Sequence, residues 1–161
     1  MRTGWFFWKY GRFEMIDRFT IRELVEGDMC VESGFFQTLR SLRDEGITDF
    51  ERMREYFRRR HAKGTKTFVG VVDGRIVSTM SLVFEDKFIH NGSTIAHGED
   101  VATHEEFQER GYGGGLLAHC IEYARSQGCY KLILDCSSEN VRFYAKKGMN
   151  TVEICMRINL E

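Results

Sequence analysis

The stretch Gln108-Glu109-Arg110-Gly111-Tyr112-Gly113-Gly114-Gly115, followed at once by the apolar, helix-compatible run Leu116 to Arg125, restricts this chain more than any other segment. Its four glycines let the backbone turn sharply and approach a ligand without Cβ interference, immediately before a helix start. Free N–H groups of a first helical turn, together with the positive end of the helix dipole, suit a phosphate or pyrophosphate. A Walker loop needs Gly-Lys-Ser/Thr, whereas Gly114-Gly115 runs into Leu116-Leu117, so no lysine reaches a γ-phosphate. A Rossmann turn needs a glycine where Gln108 or Glu109 stands and a repeated βαβ pattern, and neither is present. What remains is Gln-x-x-Gly-x-Gly on a strand-to-helix connection; read alone, it is also compatible with a plain glycine-rich surface turn.

The 161 residues fit one domain with a core that needs no staples. We expect that domain over residues 15–161, preceded by an aromatic and basic extension over 1–14 in which Trp5, Phe6, Phe7, Trp8, Tyr10 and Phe13 alternate with Arg2, Lys9 and Arg12. The extension lacks the apolar centre and cleavage site of a secretory signal. It is compatible with a membrane-surface segment, an arm packed on the domain, or an upstream addition before a second start at Met15. With 23 Lys+Arg against 24 Asp+Glu there is no basic field for nucleic acid, and a small molecule is the more natural partner. Cys30, Cys120, Cys129, Cys136 and Cys155 are odd in number and contain no C-x-x-C pair, which indicates reduced thiols and a cytoplasmic setting, organellar import aside. No apolar run approaches the roughly 18 residues of a membrane span.

Along the chain, Phe19 to Leu24 reads as a strand, and Asp28 as the cap of a helix with Val31, Phe35, Leu39 and Leu42 on one face and Gly46 as its stop. Thr48 and Glu51 form a capping box for a second helix, buried through Phe50, Met53 and Phe57. Its opposite face, with Arg52, Arg54, Arg58, Arg59, Arg60 and His61, reads as solvated rather than anion-binding. Thr67–Val72, Asp73-Gly74 and Arg75–Phe84 predict a hairpin with a type I′ turn. Lys87–His90 and Thr94–Val101 around Asn91-Gly92 predict a second strand pair, and Cys129–Asp135, after a stop at Gly128, a largely buried strand. Ser138 is expected to cap a helix over Asn140–Lys147 ended by Gly148, and Thr151–Ile158 to form a last strand. The order β, α, α, β, β, β, α, β, α, β predicts an α/β (α+β) domain with a central mixed, mostly antiparallel sheet flanked by helices.

The Gln-x-x-Gly-x-Gly segment resembles the pyrophosphate grip of the GNAT acetyltransferases. Five blocks, this segment among them, sharpen the likeness: Lys87-Phe88-Ile89-His90, Glu99-Asp100-Val101-Ala102, Gln108 to Gly113, Cys129 to Cys136, and Asn140-Val141-Arg142-Phe143-Tyr144 with Lys147-Gly148. Together they resemble the glucosamine-6-phosphate N-acetyltransferase subfamily, from about Phe19 to the C-terminus. The resemblance implies a twisted GNAT sheet, acetyl-CoA as cosubstrate, direct attack of an amino-sugar phosphate amine on the thioester, a place on the route to UDP-N-acetylglucosamine, and a homodimer whose partner chain completes the sugar site.

Residue by residue, the resemblance implies that Glu99-Asp100-Val101 lies beside the thioester, where a backbone N–H meets the acetyl carbonyl. Glu99, through a water, and Asp135 are expected near the sugar amine, and Tyr144 near the leaving sulfur. Asp100, Val101, Gln108, Glu109, Arg110, Gly111, Tyr112, Gly113, Gly114, Asn140 and Tyr144 are the expected acetyl-CoA contacts. Lys87, Phe88, Ile89 and His90, with Glu99, Asp100 and Asp135, are expected at the sugar phosphate. By spacing alone Tyr144 is equally a core aromatic, and Asn140 a helix-start residue. Two positions depart from the family pattern. Arg43 follows Leu42 near the position of a sugar-holding hydroxyl, and Asn159 stands where an arginine is usual, with Arg157 close by. Arg43 and Arg157 are therefore candidates for the phosphate, and another acceptor amine, or binding of acetyl-CoA without turnover, is the competing reading. His97, His104 and His119 lack ligand spacing, so no metal is expected. Cys136 lacks an identified histidine partner for covalent catalysis.

Overall fold

Asp73 and Gly74 turn the chain back on itself with φ of 48° and 83°, the paired left-handed geometry of a type I′ hairpin. In the computed structural model, which describes residues 18–43 and 47–160, this turn joins β2 (Lys66–Val72) to β3 (Arg75–Asp86), as the sequence predicts. β1 (Phe19–Glu23) pairs antiparallel with β2, and β4 (Thr94–Thr103) antiparallel with β3. β5 (Lys131–Ile133) lies parallel to β4 and completes the order β1-β2-β3-β4-β5. The expected mixed, mostly antiparallel sheet flanked by helices is the one observed.

Side chains alternate across the sheet, so each face builds its own core. One face carries Phe68, Met80, Leu82 and Ala96 and receives Leu116, Leu117, Cys120 and Ala124 from α4 (Tyr112–Ser126). The other carries Val69, Val71 and Ile76 against Phe35 and Phe36 of α1 (Phe35–Leu39), with Phe50, Met53 and Phe57 of α2 (Phe50–Ala62) around them. Leu116 and Leu117 are each 1% exposed. Burial of each stabilises by about 1.5–3 kcal/mol, which fixes α4 against the sheet. α2 has no fully buried residue; its half-buried aromatic side and ion pairs to its neighbours hold it.

Local elements differ from expectation where tertiary contacts compete. Asp28 sits in a 3₁₀ turn, where its carboxylate accepts hydrogen bonds from Arg22 and the Val25 N–H, so it caps no helix. α1 starts only after Gly34, at φ 82°, which leaves Val31 and Leu42 exposed. The expected stop at Gly46 and the extension over 1–14 lie outside the described residues. Asp49 rather than Thr48 caps α2, accepting the Arg52 N–H at 3.0 Å. Lys87–His90 is not a strand: β3 and β4 already meet at Asp86 and Thr94, so the residues between are the connection. The Lys87 N–H closes it on the Ser93 carbonyl at 2.9 Å, and the short α3 (Ile89–Gly92) includes left-handed His90 and Asn91.

Of Cys129–Asp135 only three residues pair, half-buried or exposed, because among the described residues β5 is an edge with one neighbour. The helix expected over Asn140–Lys147 is α5 (Val141–Ala145) with Asn140, not Ser138, at its cap position. Thr151–Ile158 forms no strand. Val152, Ile154, Met156 and Ile158 keep the strand period, yet they are 76%, 92%, 92% and 81% exposed, with no sheet edge against them among the described residues.

Candidate active site

β4 and β5 are paired only over Ile95–His97 and Lys131–Ile133. Beyond that, β4 runs on from Gly98 to Thr103 while the chain after Ile133 leaves the sheet, so a wedge-shaped gap opens along β4. Glu99 and Asp135 each stand two residues past the last pair, His97 with Ile133, and parallel register brings both to the mouth of this gap. A Cβ on Gly98 would meet Met80 and Leu134, so that position faces the α4 core. Alternation then turns Glu99 to the face that carries α1 and α2.

On its other edge β4 bulges. Ser81 pairs with Glu99 and Thr79 with Ala102, so Met80 alone opposes Asp100 and Val101. Asp100 takes φ 51°, a left-handed conformation that costs a non-glycine residue about 1–3 kcal/mol. Such an extra residue leaves the ladder locally unpaired, and an N–H outside the ladder is the kind of donor that stabilises a developing oxyanion. Arg60 of α2 donates from Nη1 and Nη2 to Asp100 Oδ2, each at 2.9 Å. The arginine-rich face of α2 is thus not merely solvated, since Arg58 also binds Glu26.

At the glycine corner, Glu109 and Gly111 make the turn, with φ of 62° and 89°. Gly111 is the cap position of α4 and offers no side chain, and the first helical bond runs from the Gly115 N–H to the Gly111 carbonyl. The N–H groups of Tyr112, Gly113 and Gly114 therefore precede the helical ladder, as anion binding requires. The glycines divide their work differently from expectation. A Cβ on Gly111 would meet nothing within 4 Å, whereas one on Gly113 would lie 2.5 Å from Thr103 Oγ1. Gly111 serves the turn, and Gly113 serves the close packing of α4 on β4. Gln108 Nε2 donates to the Thr103 carbonyl at 3.1 Å, which pins the loop to the end of β4. The Arg110 guanidinium lies 5.2 Å from the centre of the Phe107 ring, and Tyr112 packs on Phe19.

Tyr144 on α5 is buried, and burial, with Cys136 nearby, raises its phenol above the ordinary tyrosine value. It stays a proton donor at neutral pH. Asp135 accepts a hydrogen bond from the Cys155 thiol at 3.2 Å, which pushes that thiol up. A cavity of about 220 Å³ has Leu39, Arg40, Arg43 and Asp100 in its wall, so Arg43 and the bulge share one space. Lys87 instead binds Glu85, which also meets His97 Nε2 at 2.8 Å. Lys87 first, and then His97, hold the Glu85 carboxyl below the usual range. Phe88 and Ile89 are exposed and the His90 ring packs on Tyr130; none of the three is in the wall of the cavity that Arg43 and Asp100 line. Asn140 and Arg157 are exposed. Sequence reasoning missed Arg60, Ser81, Glu85 and His97 as neighbours of the site; the only signal was the run of arginines on α2.

A wedge beside a bulged strand, closed by an uncapped glycine-rich helix start, agrees with what the sequence is similar to. Residues 35–149 match the Acetyltransferase (GNAT) family. The chain belongs to the GNAT acetyltransferase family. This acetyltransferase is 33% identical over 146 residues to the glucosamine 6-phosphate N-acetyltransferase of Arabidopsis thaliana, across 88% of this chain and 97% of that one. It is 40% identical over 103 residues to the enzyme of the same name from Trypanosoma brucei brucei, across 64% of this chain and 70% of the relative. The crystal structure of the Arabidopsis thaliana enzyme superposes on this GNAT chain with a TM-score of 0.82 at 32% identity, covering 90% of this chain and all of the other. The mixed sheet and its flanking helices are the GNAT fold.

Proposed function

We propose that this chain transfers the acetyl group of acetyl-CoA to the amine of D-glucosamine 6-phosphate, releasing CoA and N-acetylglucosamine 6-phosphate on the route to UDP-N-acetylglucosamine. The observation that carries the reading is the β4–β5 wedge with Glu99 and Asp135 at its mouth and the uncapped start of α4 beside it. Similarity to the Arabidopsis thaliana enzyme over nearly its whole length supports the choice of acceptor.

Acetyl-CoA supplies an activated thioester. The N–H groups of Tyr112, Gly113 and Gly114 hold its pyrophosphate, on a turn built from Gln108, Glu109, Arg110 and Gly111. Asn140 meets the cofactor arm, and an N–H of the Asp100-Val101 bulge meets the acetyl carbonyl. The neutral amine attacks that carbonyl carbon; a C–N bond forms and the C–S bond breaks. The amine proton passes to Asp135, or through a water to Glu99, and the Tyr144 hydroxyl donates to the departing sulfur. Arg43 and Arg40 share a cavity wall with Asp100, which sets cationic groups and a carboxylate in one space. That polarity suits an acceptor with an amine at one end and a phosphate at the other. Lys87, His90 and Arg157 complete the phosphate side in the assembled enzyme.

The assembly is a homodimer, and the exposed row Val152, Ile154, Met156 and Ile158 is the surface it covers. Residues 15–161 are the acetyltransferase domain and 1–14 an extension. Among the described residues no helix is long and apolar enough to cross a membrane; the odd number of cysteines without a C-x-x-C pair supports a cytoplasmic setting, organellar import aside. Incubation with acetyl-CoA and a panel of amines, followed by mass spectrometry, tests the acceptor. Glucosamine 6-phosphate should exceed a polyamine, an aminoglycoside and a lysine peptide by about 100-fold in kcat/KM. Any other amine in first place overturns this acceptor.

A further inference from the structure

Four elements meet in one hydrogen-bond network around a carboxylate oxygen. Asp100 Oδ2, on the bulge of β4, receives Nη1 and Nη2 of Arg60 from the last turn of α2, 40 residues away in sequence. It also receives Ser81 Oγ from β3 at 3.3 Å. Arg60 Nη2 reaches the same Ser81 hydroxyl at 2.8 Å, and Thr67 of β2 meets it at 2.9 Å. Ser81 is buried and pairs with Glu99 across the ladder, so this network is tied to the residue before the bulge as well.

We propose that Arg60 is a positioning residue for acetyl transfer, a clamp that holds Asp100 and with it the bulged backbone of β4. The proposal rests on the acetyltransferase reading above. A left-handed aspartate persists only where its surroundings over-determine it, and the Ser81 bond at 3.3 Å is too long to do so alone. The guanidinium supplies two shorter, charge-assisted bonds to the same oxygen. Both partners are about two-fifths exposed, with side chains at 43% and 40%, so the pair adds little to folding stability. Its effect falls on local geometry, which is where a transfer site is most sensitive. The clamp also separates two adjacent carboxylates by role. Asp100 is engaged by the protein and shapes the bulge, and Glu99 remains the carboxylate available to the amine.

The test uses the full chain with Arg60→Met, Arg60→Lys, Asp100→Asn and the Arg60→Met/Asp100→Asn double variant. Steady-state kinetics are measured with acetyl-CoA and glucosamine 6-phosphate, or with whichever panel amine the wild type turns over. Arg60→Met should lower kcat about 10- to 100-fold while KM for acetyl-CoA stays within about twofold. Arg60→Lys should recover part of the loss, and the double variant should be no worse than the poorer single variant. An unchanged kcat, a loss confined to acceptor KM, or additive losses would each overturn the clamp. A readout free of turnover is the ¹H–¹⁵N spectrum. The Val101 amide should shift in Arg60→Met while the amides of the last turns of α4 do not. An unmoved Val101 signal overturns the clamp whatever the acceptor is, whereas a wild type inactive towards the phosphosugar counts against the acceptor alone.

Discussion

Tyr144 is suited to protonate or shield a thiolate because burial keeps its hydroxyl protonated above the usual phenol range. In the proposed mechanism its hydroxyl acts as sulfur leaves, so Tyr144→Phe should reduce kcat about 10- to 100-fold. Binding of acetyl-CoA, followed by calorimetry, should change little. Equal turnover in the variant would remove Tyr144 from the mechanism. A second buried acid leaves its mark on stability. Cys120 is completely buried, and desolvation raises its thiol from 9.0 to about 12. Below pH 9 both folded and unfolded chains keep this proton and stability is whole. As pH rises further, the unfolded chain loses it first, and stability falls until pH passes the raised folded value. Urea unfolding of the wild type should therefore lose about 1 kcal/mol more between pH 9 and 10 than Cys120→Ala does. Equal losses would mean that the thiol is not desolvated in the native state.

The α4–β4 contact shows how one element fixes another. Gly113 lets α4 approach until a Cβ would sit 2.5 Å from Thr103 Oγ1. Gly113→Ala should cost about 1–3 kcal/mol in urea unfolding, and adding Thr103→Ala should recover much of it. Failure of the second change to help would place the strain elsewhere. The corner, the Asp73-Gly74 hairpin and the run of α4 were legible in the sequence because their causes are local: left-handed glycines, turn residues and helical spacing. The 3₁₀ turn at Asp28 was not, because Arg22 and the Val25 N–H claim its carboxylate. Nor was the Lys87–Ser93 connection, whose form depends on where β3 and β4 stop pairing. Arg60 read as one of several surface arginines, since only the packing of α2 across the sheet aims it at Asp100.

At the scale of the whole molecule, the wedge, the bulge and the glycine corner form the side proposed for acetyl-CoA, and its residues were the more legible half. The acceptor side is less local. Arg43 and Asp100 line one cavity, but Phe88, Ile89 and the C-terminal residues are exposed within a single chain. The strand period of Val152 to Ile158 was visible in the sequence, whereas its partner was not. If a second copy covers that row, light scattering should give twice the chain mass for the wild type and a single-chain mass for Ile154→Lys/Ile158→Lys. A wild-type monomer would contradict this. The most direct measurement of the account is free-thiol release from acetyl-CoA with glucosamine 6-phosphate, alongside glucosamine and glucose 6-phosphate. Release should require both the amine and the phosphate, and so appear with the phosphosugar amine and stay near background with either control. No release with glucosamine 6-phosphate, in protein that binds acetyl-CoA, would contradict it.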